Sequence, residues 1–408
     1  MDVTKRLLNY VKIYTTSDEE SGTHPSSKRQ FDLARVLETE LKEMGASDVF
    51  LDDKCYLYAK LPATEGMESL PVIGLIAHMD TAPDFNGDGV NPVIHENYDG
   101  EDVELGNGRT LSHKDFPHIA SLKGRTLITT DGSSLLGADD KAGVAEIMDT
   151  AERLIVNGEA HGGISICFTP DEEIGEGADN FDHKRFGADF AFTVDGGFEG
   201  EVAYENFNAS SAEIVFNGVN VHPGDAKDVM INASLLAAEF LAKLPKDETP
   251  ATTEGREGFY HLTDMKGNVE KAVLSFILRD HDRKKLTQKE ENLKNLVDVC
   301  NQTYGAGTAE LTVKQSYSNM LEIIKDHMDI VELANEATRA AGIEPITIPV
   351  RGGTDGARLS FDGLPCPNLG TGGYAFHGPF EHITKEGMEI SANIIYYLCT
   401  HVKDLPDL

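Results

Sequence analysis

Residues 71–80 read PVIGLIAHMD, an apolar run that ends in a histidine, a methionine and an aspartate. An uninterrupted run of this length is typical of a strand buried on both faces, as in a parallel sheet between helices. Because side chains two residues apart in a strand point the same way, His78 and Asp80 are expected to face one side. The stretch predicts a core strand that carries a histidine and a carboxylate at its carboxyl end.

Similar apolar runs occur on both sides of this strand. Strands are predicted over 49–51, 163–169 and 190–194, and a helix is predicted over 144–158. Strands that alternate with helices favour an α/β fold, with a sheet covered by helices on both faces.

The segment 207–318 has a different order of elements. Its hydrophobic periodicity predicts strand, helix, strand, strand, helix and strand, and this βαββαβ order is that of a ferredoxin-like unit. The α/β pattern resumes after it. We therefore predict one α/β domain made of 1–206 and 319–408, with an inserted ferredoxin-like domain over 207–318.

The composition indicates which partners and which cellular location are expected. Among 408 residues, 69 are acidic and 36 are basic, which gives a formal net charge of −33. A field of that sign repels phosphate backbones and anionic lipids, so neither nucleic acid nor a membrane is expected as a partner. The amino terminus lacks the apolar core of a signal peptide. Five scattered cysteines without a CxxC pair indicate a reduced, cytoplasmic protein.

Five short segments place a histidine or a carboxylate just after an apolar strand or at the start of a helix. In an open α/β sheet, ligands bind in the crevice outside the carboxyl ends of the strands. Each segment alone is typical of an ordinary polar surface, but together they predict a shared site. The segments are 78–80, 137–141, 170–173, 194–197 and, within GGYAFHGPFEH, His377.

The residue types in these segments suit a site for two metal ions. Imidazole nitrogen and carboxylate oxygen are zinc ligands, and a catalytic site keeps one position open for water. Asp80 is placed to hold the imidazole of His78, as carboxylates do behind metal-bound histidines. Of the neighbours Glu172 and Glu173, one is expected to bind metal and the other to act as a general base, and spacing does not decide which.

Six motifs in order resemble the co-catalytic zinc peptidases, a family that includes tripeptide aminopeptidases, glutamate carboxypeptidases, aminoacylases and succinyl-diaminopimelate desuccinylase. The resemblance spans essentially the whole chain and is nearest to the tripeptide aminopeptidases. It implies a zinc-binding catalytic domain interrupted by a lid domain. The motifs are HMD, LLGADDKAG, FTPDEEIGEGA, TVDGG, NVHPG and RGGTDGARLSFDGLPCPNLGTGGYAFHG.

The resemblance also implies a set of ligands for two zinc ions per subunit. His78, Asp139 and Asp195 would hold one ion. Asp139, Glu173 and His377 would hold the other, so that Asp139 bridges the two ions.

Three further residues receive catalytic roles from the resemblance. Glu172 would be the general base, Asp80 would orient His78, and His222 in the NVHPG turn would polarise the scissile carbonyl. The implied reaction is release of the amino-terminal residue from tripeptides, by attack of a hydroxide held between the metals. Taken alone, His222 is an ordinary turn histidine.

Two arginines and one departure from the family pattern complete the candidate residues. Arg279 and Arg351 are expected to bind the free carboxylate of a peptide, because a guanidinium suits bidentate contacts; the alternative is a surface ion pair. After His377 the chain reads GPFEH, where the family pattern has a histidine before the glutamate; here the histidine follows, as His382.

Other functions compete with this interpretation. The nearest is another amide hydrolase of the same family, such as a dipeptidase, carboxypeptidase or aminoacylase. An inactive peptide-binding relative is a second alternative, although such a protein would not need Glu172. A serine hydrolase is excluded, because the chain has no G-x-S-x-G motif. The expected partners are a small peptide substrate and a second copy of the chain.

Overall fold

The computed structural model describes residues 1–405 and divides into two compact units. The larger unit comprises Met1–Tyr204, Met320–Ile348 and the described residues from Thr354 onward. The smaller unit comprises Glu205–Asn319 and Pro349–Gly353. It therefore includes a short segment that lies outside the predicted insertion over 207–318.

The helices and strands of the described residues are numbered in chain order. The α-helices are α1 Val3–Tyr10, α2 Gln30–Met44, α3 Ala138–Asn157, α4 His183–Phe186, α5 Ala233–Ala242, α6 Arg283–Tyr304, α7 Leu321–Ile324, α8 Met328–Ala340, α9 Asp355–Phe361 and α10 Lys385–His401. The first ten strands are β1 Ser47–Leu51, β2 Leu57–Leu61, β3 Ile73–His78, β4 Val93–His95, β5 Val103–Gly106, β6 Arg109–Leu111, β7 Leu127–Thr129, β8 Ile164–Thr169, β9 Phe190–Gly196 and β10 Val202–Ala203. The remaining strands are β11 Asn208–Asn217, β12 Phe259–Gly267, β13 Lys271–Asp280, β14 Ala309–Tyr317, β15 Asn368–Gly370, β16 Gly373–Tyr374 and β17 His382–Thr384.

A seven-stranded mixed sheet forms the centre of the larger unit. Its strand order is β1-β2-β8-β3-β9-β15-β10, and β8, β3, β9 and β15 run parallel to one another. Every residue of β3 and β8 is buried, as the uninterrupted apolar runs predict. This mixed sheet with its helices confirms the predicted α/β fold class.

Helix α3 packs closely against this sheet because a glycine faces the strand. A Cβ atom at Gly143 would lie 1.9 Å from the carbonyl oxygen of Val194 in β9, closer than any side chain permits. The buried face of α3 includes Val144, Ile147 and Met148, which join the main hydrophobic core. The first turn of the helix lies beside the carboxyl ends of β3 and β9, because Asp140 accepts a hydrogen bond from the N–H of His78 and Gly143 faces Val194.

The smaller unit is a four-stranded antiparallel sheet with the order β12-β13-β11-β14, packed against α5 and α6. Along β13 every second side chain is buried, and Leu274, Phe276 and Leu278 form one apolar face. Leu236 from α5 and Leu293 from α6 belong to the same core. The βαββαβ order and this sheet confirm the ferredoxin-like part of the predicted fold class.

A second sheet of the larger unit, in the order β16-β17-β7-β4, was not predicted from the sequence. Its strands have two or three residues each, too few for a period-2 pattern to be recognised. No helix within residues 1–405 is long and apolar enough to cross a membrane.

Candidate metal centre

His78 is the last residue of β3 and only 2% of its surface is exposed. Its Nδ1 atom lies 3.1 Å from the backbone oxygen of Asp80 and 3.3 Å from Oδ1 of the same residue. The carboxylate of Asp80 also accepts hydrogen bonds from the backbone N–H groups of Glu172, at 3.1 Å, and Glu173, at 3.2 Å. Asp80 therefore orients the imidazole of His78 and the turn that carries both glutamates.

Asp139 lies between two histidines. Its Oδ1 is 3.1 Å from Nε2 of His78, and its Oδ2 is 3.2 Å from Nε2 of His377. Asp139 is in the first turn of α3 but has non-helical backbone angles, with φ −83° and ψ 106°. Each oxygen of one carboxylate thus faces a different imidazole.

Two more carboxylates complete the cluster. Oδ1 of Asp195, at the end of β9, lies 3.4 Å from Nε2 of His78. Oε2 of Glu173 lies 2.9 Å from Nε2 of His377, while Oε1 is buried without a hydrogen-bond partner. The side chains form two groups that share Asp139, one around each histidine.

This donor set fits metal ions. The ligand atoms of His78, Asp139 and Glu173 all lie within 4.8 Å of one another. The same holds for His78, Asp140 and Asp195, although Asp140 also accepts a 3.1 Å hydrogen bond from the backbone N–H of His78. Buried carboxylates with spare oxygens, next to imidazole nitrogens, are the usual environment of a zinc ion.

A nearby group of His24, Asp171 and Glu176 is less suited to bind a metal ion, because hydrogen bonds already use the oxygens of Asp171.

The crowded charges shift the pKa values of the cluster in opposite directions. Burial by itself lowers the pKa of His78, but Asp195 and Asp139 raise it well above its usual value. Burial favours a higher pKa for Asp139, yet its hydrogen bonds with His377 and His78 hold it below the usual range. Burial raises the pKa of Glu173 to about 8 and that of Asp195 to about 6. Hydrogen bonds to Asp139 and Glu173 raise the pKa of His377 to about 11. A cation in the cluster would relieve this repulsion among carboxylates.

Glu172 lies beside the cluster, in a 3₁₀ turn over Glu172–Ile174. Its Oε2 is 4.0 Å from Nε2 of His78, farther than the oxygens of Asp139 and Asp195. Burial and the charge of Asp195 raise its pKa well above the usual value. Glu173 rather than Glu172 is the glutamate in contact with a histidine of the cluster.

The loop that carries both glutamates is fixed by Asp171, a member of the segment 170–173 to which the sequence assigned no role of its own. The carboxylate of Asp171, which is fully buried, accepts hydrogen bonds from the backbone N–H of Ser26 at 2.7 Å and from Nε2 of Gln30 at 2.5 Å. Gln30 returns a contact, since its Oε1 accepts from the N–H of Asp171 at 3.2 Å. No sequence signal links Asp171 to residues about 140 positions earlier.

Three other missed carboxylates surround the cluster. Oδ2 of Asp84 lies 3.5 Å from Nδ1 of His377. Asp355, which opens α9, is buried and accepts a 3.2 Å hydrogen bond from the hydroxyl of Thr169, and burial raises its pKa to about 7. Glu381 accepts hydrogen bonds from the turn that leads into Asp139. Asp355 lies in the quoted glycine-rich motif, which was the only available signal for it.

His382, the residue that departs from the family pattern, makes its ring contacts with residues outside the proposed ligand set. Its Nδ1 lies 2.7 Å from the backbone oxygen of Phe380, and its Nε2 lies 2.9 Å from Nε2 of His118. The ring lies against those of His118 and Tyr374, with centroid distances of 5.0 Å and 5.3 Å, and burial lowers the pKa of His382 to about 4. Its contacts are those of a neutral core histidine.

The other three predicted site residues lie in the smaller unit. The side chain of His222 is 80% exposed, and its Nδ1 accepts a 3.1 Å hydrogen bond from the N–H of Gly224. Arg351 donates to the backbone oxygens of Gly255, at 2.7 Å, and Glu257, at 3.1 Å. The structure thus brings seven predicted residues together in the larger unit and places three in the smaller one.

Arg279 contacts Arg351 through the backbone. Its Nη1 donates a 2.8 Å hydrogen bond to the carbonyl oxygen of Arg351, while its buried Nε has no partner among the described residues. Both guanidinium groups lie over the ring of Phe259. Arg351 uses its donors to hold a loop, so Arg279 is the arginine with a donor to spare.

Comparison with known proteins identifies the family. A family model described as "Peptidase dimerisation domain" matches residues 204–308. "Peptidase T" of Clostridium perfringens is 55% identical over 394 residues, covering 96% of this chain and 97% of the relative. "Peptidase T" of Alkaliphilus oremlandii is 50% identical over 398 residues, covering 97% of each chain.

Solved structures share the fold. The aminopeptidase PepT of Bacillus cereus superposes with a TM-score of 0.78 at 22% identity and covers 98% of each chain. A dinuclear metal-binding peptidase of the M20 family from Bacillus subtilis gives a TM-score of 0.68 at 15% identity over 99% of each chain. The resemblance noted in the sequence is confirmed by the near full-length identity to curated relatives, and the chain belongs to the peptidase T family.

Proposed function

We propose that this protein is a dinuclear zinc metallopeptidase that releases the amino-terminal residue from tripeptides. Membership of the peptidase T family supports the reaction. The observation that carries the proposal is the position of Asp139, whose two oxygens face the imidazoles of His78 and His377 separately. One carboxylate between two histidines is what a bridging ligand requires.

The residues that would hold the two ions follow from these contacts. His78 and Asp195 would share one ion with Asp139, and Glu173 and His377 would share the other. When bound, such ions polarise a carbonyl and lower the pKa of water toward about 7. Asp80 keeps the imidazole of His78 in the orientation that presents Nε2 to the site, through its contacts with Nδ1.

Glu172 is the proposed general base. Its carboxylate is adjacent to the cluster but does not contact a histidine at ligand distance, so it is free to take a proton. It would accept the proton of the attacking water at a carboxylate oxygen and pass it to the nitrogen of the departing amine. The hydrogen bond from the backbone N–H of Glu172 to the carboxylate of Asp80 fixes the backbone from which the Glu172 side chain extends.

We also propose substrate contacts for three residues of the smaller unit. His222 is exposed enough to meet a peptide, and its role would be to polarise the scissile carbonyl. Arg279 and Arg351 would recognise the free carboxylate, Arg279 with its spare Nε donor and Arg351 by fixing Arg279 through its own backbone oxygen. The domain over 207–318 would act as a lid.

Location and assembly are part of the proposal. All five cysteines are free, and four are buried, in keeping with a reduced cytoplasmic protein. The match of residues 204–308 to a dimerisation domain supports a homodimer.

The test uses three substrates and two variants. The zinc-loaded protein is incubated with a tripeptide, its N-acetylated form and the matching dipeptide. We expect cleavage of the free tripeptide alone, release of its first residue, loss of activity in Glu172→Ala, and retention in Glu176→Gln, which changes a half-exposed acid four residues after Glu172. Preference for the acetylated peptide or for the dipeptide would instead assign another amide hydrolase activity. Absence of turnover with two zinc ions bound would contradict catalysis.

A further inference from the structure

We propose that Glu381 is a positioning residue that fixes Asp139 relative to His377 and thereby sets the affinity of the metal position that these two residues share. The inference rests on the proposed dinuclear site and adds a residue to it. Glu381 touches no ligand side chain; it acts through the backbone that carries one ligand and through the loop that carries another.

The first step is the set of contacts made by the Glu381 carboxylate. The residue is only 1% exposed. Its Oε2 accepts hydrogen bonds from the N–H groups of Leu136, at 2.7 Å, and Gly137, at 2.9 Å. Its Oε1 accepts from the N–H of Asp139, at 3.0 Å. One side chain therefore binds most of the turn that leads into the proposed bridging ligand.

The second step is the position of Glu381 in the chain. It follows His377 by four residues, and its own N–H donates a 3.2 Å hydrogen bond to the carbonyl oxygen of Gly378. The next residue, His382, is the first of β17 and pairs with Thr129 in β7. The loop that carries His377 is thus anchored at its carboxyl end, both by the sheet and by the turn of Asp139.

The third step is that His377 has few other restraints. Its side chain is 43% exposed, and its backbone has a left-handed φ of 63°. Besides Asp139 and Glu173, the imidazole ring of His377 contacts Asp84, which is itself exposed. Apart from the pairing of β16 with β17 at the base of the loop, the distance between His377 and Asp139 therefore depends on the link that Glu381 supplies.

The fourth step is that the link requires a carboxylate. Both of its oxygens are acceptors here, whereas a glutamine of the same shape would turn an NH₂ group toward an N–H donor. An aspartate keeps two acceptors but is shorter by one methylene. Buried N–H groups that lose their acceptor rearrange or carry a desolvation penalty, so the turn would shift.

The test measures metal binding directly. Purified wild type, Glu381→Gln and Glu381→Asp are titrated with Co²⁺ against a chromophoric chelator, and the visible absorption of bound Co²⁺ is recorded. We expect wild type to bind two ions. We expect Glu381→Gln to bind the weaker of its two ions about 10- to 100-fold less tightly than wild type does, with an altered spectrum, and Glu381→Asp to fall between.

The matched control is Glu146→Gln. Glu146 is also a fully buried carboxylate, it lies on α3, and neither of its oxygens has a hydrogen-bond partner among the described residues. Its replacement removes a buried acid without touching the turn or the loop, so both affinities should match wild type. Circular dichroism checks that each variant folds. If Glu381→Gln does not fold, the comparison of Glu381→Asp with wild type provides the test.

Two outcomes would overturn the inference in distinguishable ways. If wild type binds two ions and the folded Glu381 variants bind both with unchanged affinity and spectrum, Glu381 has no positioning role and the proposed function stands. If wild type binds fewer than two ions, the dinuclear site and the inference fail together.

Discussion

One oxygen of the Asp139 carboxylate lies 3.1 Å from His78, and the other lies 3.2 Å from His377. The remaining proposed ligands, Asp195 and Glu173, are each in direct contact with one histidine, His78 at 3.4 Å and His377 at 2.9 Å respectively. At the scale of single residues, Asp139 is therefore the side chain on which both proposed metal positions would depend. Glu172 is the opposite case, since it lies beside the cluster without joining it.

The first prediction concerns Asp139. In Asp139→Asn an amide NH₂ replaces one carboxylate oxygen, so one of the two proposed metal positions loses a ligand. The variant also loses one negative charge that would balance the two cations. We expect fewer than two zinc ions per chain by elemental analysis, and kcat/KM for a tripeptide lowered by at least about 100-fold. Two tightly bound ions in this variant would show that Asp139 does not bridge.

The second prediction separates the adjacent glutamates. Glu172→Gln should keep two zinc ions while kcat falls by about 10²- to 10⁴-fold, the range for loss of a general base. Glu173→Gln should lose zinc, because Glu173 contacts His377. Glu176→Gln serves as the control, since Glu176 is 46% exposed in the same segment. The assignment fails if Glu172→Gln loses metal and Glu173→Gln retains it.

At the scale of elements, the site is built where α3 begins against the ends of β3 and β9. The sequence predicted this arrangement well, because an apolar run followed by His78 and Asp80 identifies both the strand and its end. It did not predict the sheet that contains β7 and β17, whose strands are too short to show periodicity. The role of Glu381 was missed for a related reason. It contacts backbone N–H groups up to 245 residues away, and because almost every residue has such a group, the sequence does not mark which ones bind Glu381.

The third prediction tests the close packing of α3. In Gly143→Ala the new Cβ would lie 1.9 Å from the carbonyl oxygen of Val194 and 2.5 Å from Oδ1 of Asp140. The helix must move, so we expect the free energy of unfolding to fall by about 1–3 kcal/mol in urea denaturation. Gly352→Ala is the control, because nothing lies within 4 Å of a Cβ there. Equal stability of the two variants would contradict the packing.

At the scale of the whole molecule, a chain with a formal net charge of −33 concentrates several buried carboxylates around two histidines. The family followed from the order of the motifs along the chain, and the fold class followed from the order of the predicted strands and helices. The roles of His222, Arg279 and Arg351 in the smaller unit stay predictions, since no contact among the described residues tests them. What composition and spacing could not supply was the set of buried links, such as Asp171 with Gln30, that hold the ligand loops.

The fourth prediction concerns metal removal. Because ions that bind only the folded chain stabilise it by mass action, chelation should lower the melting temperature. At free zinc a thousand times Kd, the stabilisation lost is about 4 kcal/mol for each ion. Differential scanning calorimetry with and without a chelator measures it, and added zinc should restore both the melting temperature and the peptidase activity. A melting temperature indifferent to chelation would contradict a buried metal site.

The most direct test of the central claim is a crystal structure of the zinc-loaded protein with anomalous data collected at the zinc edge. We predict two anomalous peaks on opposite sides of the Asp139 carboxylate, one bound by Oδ1 with His78 and Asp195 and the other by Oδ2 with Glu173 and His377. A single peak, or two peaks bridged by Asp140 instead, would contradict the proposed dinuclear centre.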